Sequence, residues 1–292
     1  MDLFAVGGLE GITYFYIDGE KKSLKEAEPY LLESKNLAAK QLKINNIEAI
    51  FPSNLTIEEV IGKVYSLTNE LLKSKGKALD VGYGLNTKPM NYFTSKGFEV
   101  SAIDIINLPD LHEQEHYNSP NSKNGINKLI KLLGGVEYLT RINGVKRYWG
   151  YFTDWNFNLK QDLIYFWGSW SSRSQNLTIG HTSKNYFYQE ELNITRVDER
   201  LAALEYLIKT RNLKKAKQTL NPEGKLMIIN PVFTKLGAGY LSQKDETIDY
   251  IELLKILSET GYKEVHAYGE FSKDSEFFQK NEISNPKILI AE

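Results

Sequence analysis

From Lys77 onward the chain alternates short, mostly apolar stretches with stretches of helical period, and no other feature restricts the fold as much. The apolar stretches are residues 77–82 (KALDVG), 98–105 (FEVSAIDI), 145–153 (VKRYWGYFT), 162–167 (DLIYFW) and 225–230 (KLMIIN). Helical patterning falls between them: Lys88 to Lys96 closed by Gly97, Ser122 to Thr140, Ile194 to Leu220, and Asp249 to Glu259 stopped by Gly261. A strand that is apolar on both faces must be covered on both faces, which a parallel sheet between two helix layers achieves. The last two apolar stretches, 262–270 and 287–292, have no helix between them and are expected to pair antiparallel. The fold class expected is α/β, a doubly wound and mostly parallel sheet.

The first 75 residues have a different texture. Ile12 to Ile17 alternates as a strand and runs into an Asp18-Gly19 turn. Ser23 and Glu26 have capping-box spacing, so a helix should start there and run toward Leu42. Thr56 and Glu59 repeat that spacing ahead of Val60, Ile61, Val64, Leu67, Leu71 and Leu72, with Gly76 placed to end the helix. The expected organisation is a helical N-terminal lid or cap over 1–75 and a main domain over 76–292. An insertion interrupts the main domain at about 168–197.

Composition excludes several classes of function. The 36 basic and 37 acidic residues nearly cancel, which argues against a general nucleic-acid binder. With no cysteine there is no disulfide framework, no thiolate metal site and no Cys nucleophile. No apolar run is long enough to span a bilayer. Asp2 and Glu10 stand where a signal peptide needs positive charge and then a longer apolar run, so a soluble cytoplasmic protein is expected.

The stretch Asp80-Val81-Gly82-Tyr83-Gly84-Leu85-Asn86 joins a strand to a helix. Glycines there let the backbone turn tightly and approach a ligand closely. Twenty residues past Gly84, at the tip of the next strand, Asp104 is placed to accept both hydroxyls of a ribose. A dinucleotide loop would require a third glycine at position 87, which is Thr87, and its pyrophosphate would be repelled by Asp80. A carboxylate at that place suits a ligand carrying an ammonium or sulfonium group instead.

This pattern resembles motif I of the class I S-adenosylmethionine-dependent methyltransferases, and the resemblance continues in order along 77–292. Asp104 stands where that family holds the ribose, and residues 152–155 (FTDW) where a side-chain acid meets the adenine amino group. Residues 161–166 (QDLIYF) resemble the family's fourth-strand segment, and 220–226 (LNPEGKL) the turn before its fifth strand. Asn86 departs from the usual third glycine, but asparagine tolerates left-handed backbone better than most residues. The resemblance implies a seven-stranded sheet whose last strand is antiparallel, with S-adenosylmethionine as cofactor. It implies that the cofactor is held by Asp80, Gly82, Tyr83, Gly84, Asn86, Asp104, Ile105, Asp154, Trp155 and Phe166. The reaction implied is in-line methyl transfer to a small-molecule acceptor under the lid. Transfer of another group derived from the cofactor, methylation of a protein side chain, and a non-enzymatic binding protein on the same fold stay open.

Loops at the strands' C-terminal ends surround the ligand in open α/β sheets. The insertion brings Trp170, Arg173, Tyr186 and Tyr188 to that rim, and with Tyr16 they are candidates for the acceptor pocket. His181 is the candidate general base, because an imidazole titrates near neutrality. Residues 112–116 (HEQEH) match the zinc-protease pattern, but Pro109 and Pro120 leave little room for the helix that this chemistry needs. They are read as a polar loop, and no metal is expected. Five basic residues between Lys209 and Lys217 are read as a solvated helix face.

Overall fold

The computed structural model describes residues 3–8, 11–48, 62–63, 65–67, 69–70, 76–82, 88–104, 145–149, 152–154, 160–167, 197–229, 243–273 and 276–292. The chain opens with three strands, β1 (Leu3–Gly8), β2 (Gly11–Ile17) and β3 (Glu20–Ser23), which form an antiparallel sheet of their own. Asp18 and Gly19 both take positive φ, the geometry of the tight turn that suits the twist between β2 and β3. Helix α1 (Leu24–Gln41) follows. Its capping box is complete: the Glu26 N–H donates to the Ser23 hydroxyl, and the Ser23 N–H donates to the Glu26 carboxylate. Then β4 (Lys43–Glu48) enters the main sheet.

The segment is therefore not a helical cap. Three of its first elements are strands, and a fourth strand pairs parallel with β10 (Glu264–Phe271) at the sheet edge. Helical backbone at 62–63, 65–67 and 69–70 falls within the second expected helix. The expected helix at 122–140 lies outside the described residues, as do residues 168–196 of the insertion expected at about 168–197.

The other elements follow the expected alternation. They are β5 (Lys77–Val81), α2 (Lys88–Ser95), β6 (Glu99–Asp104), β7 (Lys146–Trp149), a 3-10 turn (Phe152–Asp154) and β8 (Gln161–Trp167). Helix α3 (Val197–Thr219), β9 (Leu220–Ile229), α4 (Gln243–Glu259), β10 and β11 (Ile283–Ala291) complete the chain. The sheet order is β4-β10-β11-β9-β8-β5-β6-β7, and only β11 runs against its neighbours. This is a mostly parallel, Rossmann-like sheet with the reversed last strand that the methyltransferase resemblance implies. Among the described residues its eight strands exceed the expected seven by one, because β4 joins at the edge.

Alternation along the strands divides the core into two layers. Leu79, Val81, Ile164, Phe166, Leu226 and Ile228 join the cluster formed with α1, α3, α4 and the small sheet. Ala78, Leu163, Tyr165, Met227 and Ile229 join the cluster that includes Met90 and Phe93 of α2. Each fully buried aliphatic side chain contributes about 2 kcal/mol of transfer free energy. A buried ion pair, Lys209 to Glu252 at 2.9 Å, links α3 to α4, so this part of the basic run is not a solvated face. No helix among the described residues is long and apolar enough to cross a membrane.

Candidate functional site

The two ends of the parallel strands differ in chemistry. At the C-terminal end, β5 stops at Val81 and the chain turns at Gly82, whose φ of +74° favours glycine. The Gly82 N–H donates to the Ile103 carbonyl at 2.8 Å, which ties this turn to the tip of β6. Asp104, the last residue of β6, is 6% exposed and aligned with Trp149 of β7. The 3-10 turn carrying Asp154 follows β7 and packs on α3, and its Phe152 ring meets Phe166 edge-on at 6.0 Å. Gly82 and Asp104 thus lie at neighbouring strand tips, Phe166 packs into the core beside Phe152, and the Asp154 backbone follows β7, the next strand.

Asp80 is the most unusual group at this end. It is 1% exposed, and no well-formed hydrogen bond reaches either carboxylate oxygen, although the Tyr165 hydroxyl lies close enough to act on it. Burial pushes its carboxyl well above the usual carboxylate range. The facing Tyr165 hydroxyl acts in the opposite direction, and the Asp104 carboxylate adds to the rise. Tyr165 is wholly buried and its hydroxyl likewise makes no well-formed hydrogen bond. Tyr165 carries no local sequence signal, since what singles it out is the register that sets it beside Asp80 on β8.

Of the other candidates, Tyr16 lies on β2, where it stacks on Phe4 at 5.5 Å. Tyr83, Gly84, Asn86, Ile105, Trp155, Trp170, Arg173, His181 and Tyr186 lie outside the described residues, as do residues 112–116.

At the N-terminal end the polar groups are matched. The Asp162 carboxylate accepts from the Lys77 N–H at 2.7 Å and from the Asn221 side-chain amide at 2.6 Å, so it braces β5, β8 and β9 together. Gly76 makes room for it, since a Cβ there would stand 1.7 Å from an Asp162 oxygen. An open polar cleft of about 450 Å³ borders these residues, but its acid is already engaged and it lies at the wrong end of the sheet for the glycine turn. Glu264, His266 and Glu292 cluster at this end too, with candidate ligand atoms within 4.8 Å of one another. Lys43 and Asn45 already occupy Glu264, and Lys225 pairs with Glu292. The cluster is an ion-pair network whose charges balance without a cation.

No family model matches the sequence, and no curated protein matches it either. Among solved structures, a TehB-like SAM-dependent methyltransferase from Corynebacterium glutamicum superposes with a TM-score of 0.38 at 14% identity, over 91% of this chain and 96% of that one. A precorrin-6y C5,15-methyltransferase from Geobacter metallireducens gives 0.37 at 13% identity, over 84% and 93%. The SAM-bound amino pentose methyltransferase CalS10 from Micromonospora echinaspora gives 0.32 at 11%, over 62% and 58%. With TM-scores below 0.5, these likenesses carry no weight beside the strand order and the residues at the strand tips.

Proposed function

We propose that the chain binds S-adenosylmethionine at the C-terminal end of β5 and β6 and transfers its methyl group to a small-molecule acceptor. The observation that carries this reading is the buried, unsatisfied Asp80 carboxylate beneath the Gly82 turn, next to the buried Asp104. Buried polar atoms in native proteins are paired, so an unsatisfied acid at the C-terminal tips of the strands fits a cationic ligand. When bound, the cofactor supplies an electrophilic methyl on a positively charged sulfur.

The roles of this chain's residues follow from their chemistry. Asp104 accepts the ribose hydroxyls, and Asp80 provides the negative charge toward the cationic methionine portion. Asp154 and Trp155 address the adenine, with Tyr83, Gly84, Asn86, Ile105 and Phe166 shaping the rest of the cofactor pocket. Tyr16, Trp170, Arg173 and Tyr186 hold the acceptor, and His181 takes its proton where the acceptor carries one. Much of the acceleration in such a transfer comes from holding acceptor and methyl in line and excluding water. The small sheet is placed to help: β1 packs on α3, the helix against which the turn bearing Asp154 also packs. That position supports reading the N-terminal segment as one wall of the acceptor pocket.

Calorimetric titration with S-adenosylmethionine, S-adenosylhomocysteine and NAD tests the reading. Micromolar binding of the first two, with NAD inert, is expected. Asp104→Ala should weaken that binding by roughly 10- to 100-fold, the loss of charged hydrogen bonds to two hydroxyls. Tight NAD binding, or no binding of either sulfur compound, contradicts it.

A further inference from the structure

Tyr165 is a polar residue in an otherwise apolar strand segment. It stands among Leu163, Ile164 and Phe166, all essentially inaccessible to solvent. Packing alone would be served by phenylalanine, which has no hydroxyl to desolvate. Parallel pairing of β5 with β8 makes Asp80 and Tyr165 register partners, so their side chains leave the sheet on the same face. Three buried oxygens without well-formed hydrogen bonds, two from the carboxylate and one from the phenol, therefore share one small volume.

Resting on the cofactor reading above, we propose that Asp80 and Tyr165 form a proton-holding pair: the carboxyl group keeps its proton while the site is empty and releases it to solvent when the sulfonium cofactor binds, with Tyr165 as the positioning residue. The described groups facing Asp80 are Tyr165 from β8, Asp104 from β6 and Tyr65 from the helical backbone at 65–67. None of them is a cation. Tyr65 gives its hydroxyl to the Pro89 carbonyl at 3.3 Å, which leaves the Tyr165 phenol as the donor available to the acid.

With an acid on one side and only phenols elsewhere among the described residues, protonation is the inexpensive state of a buried carboxyl. A positive charge at the glycine turn reverses that preference, because an opposite charge within a few ångströms favours the ionised form. A phenol hydroxyl suits both states, since it can accept from the carboxylic O–H and donate to the carboxylate. No covalent bond changes: one O–H bond of the acid is given up to water as the cofactor's charge arrives.

The test uses the full chain as wild type, Asp80→Asn and Tyr165→Phe. The first readout is urea unfolding of the ligand-free protein from pH 5 to 9. A carboxyl held above its unfolded value keeps its proton when the unfolded chain has lost it, so wild-type stability should fall with rising pH relative to Asp80→Asn. That difference should level off once the folded acid ionises. In Tyr165→Phe the fall should continue to higher pH, because the phenol favours the charged form. A merely structural role for Tyr165 would lower the whole curve without changing its shape.

The second readout is titration of wild type with S-adenosylmethionine in two buffers of different ionisation enthalpy. Release of up to about one proton per cofactor is expected in wild type, and none in Asp80→Asn. Binding without proton release in wild type overturns the coupling even where both variants fail to fold. Parallel pH–stability curves for wild type and Asp80→Asn overturn the pair itself. No binding, with the stability difference intact, rejects the coupling together with the cofactor reading and leaves a structural proton store.

Discussion

Asp162 and Asp80 lie on neighbouring strands at opposite ends of one sheet, and their surroundings separate what holds this protein together from what it has to offer a ligand. Asp162 is half-buried and saturated: a backbone N–H from β5 and a side-chain amide from β9 both point at it. Asp80 is more deeply buried, and no well-formed hydrogen bond reaches either of its oxygens. A carboxylate that is fully bonded contributes stability, whereas one buried alone costs it and persists where a partner completes it. The parallel sheet sets the polarity of this difference, because its C-terminal strand tips are the end where α/β sheets place ligands.

The sharpest way to break the contrast is at the saturated end. Gly76→Ala would drive Asp162 out of its place, and the displaced carboxylate would leave the Lys77 N–H and the Asn221 amide unmatched. A loss of about 3 kcal/mol is expected in urea unfolding, with S-adenosylmethionine affinity unchanged in the folded fraction. Asp162→Ala keeps the glycine and removes only the acceptor. It should cost about 2 kcal/mol, again without effect on ligand affinity.

A smaller effect distinguishes the two ends by the sign of their pH response. At the saturated end, burial holds the His266 imidazole below its ordinary value, and Lys225 and Lys43 reinforce this against the opposing pull of Glu264. The unfolded chain then takes up a proton first on acidification, so the stability tied to His266 is complete above about pH 6.5 and is lost below it. His266→Gln should flatten the loss of stability on acidification, while Asp80→Asn should remove a loss that sets in as pH rises above the ordinary carboxylate range. The smallest effect is expected on α1, where Leu37 is 47% exposed. Leu37→Lys should change stability by less than about 0.5 kcal/mol.

Much of this architecture is legible in the sequence, because β8, β9 and β11 carry continuous apolar runs and α1 declares its start through Ser23 and Glu26. What escaped has physical reasons. β4 contains Asn45, Asn46 and only two apolar residues, since one of its edges is open and its strand conformation comes from pairing with β10 rather than from propensity. Residues 221–224 read as a turn, but the structure absorbs them into β9 through a register shift opposite Gln161 and Leu163. Of the proposed site residues, Asp80, Gly82 and Asp104 are singled out by their spacing along one chain. Tyr165 and the bracing role of Asp162 depend on which strands lie side by side, and no local pattern carries that information.

The central claim is that the unsatisfied end of the sheet is the ligand end. A crystal structure with S-adenosylhomocysteine tests it most directly. The account predicts the ribose hydroxyls on the Asp104 carboxylate and the amino-acid portion over Gly82, on the Asp80 side of the turn. A ligand seated in the polar cleft between Gly76 and Asn221, or one that leaves Asp104 untouched, would contradict it.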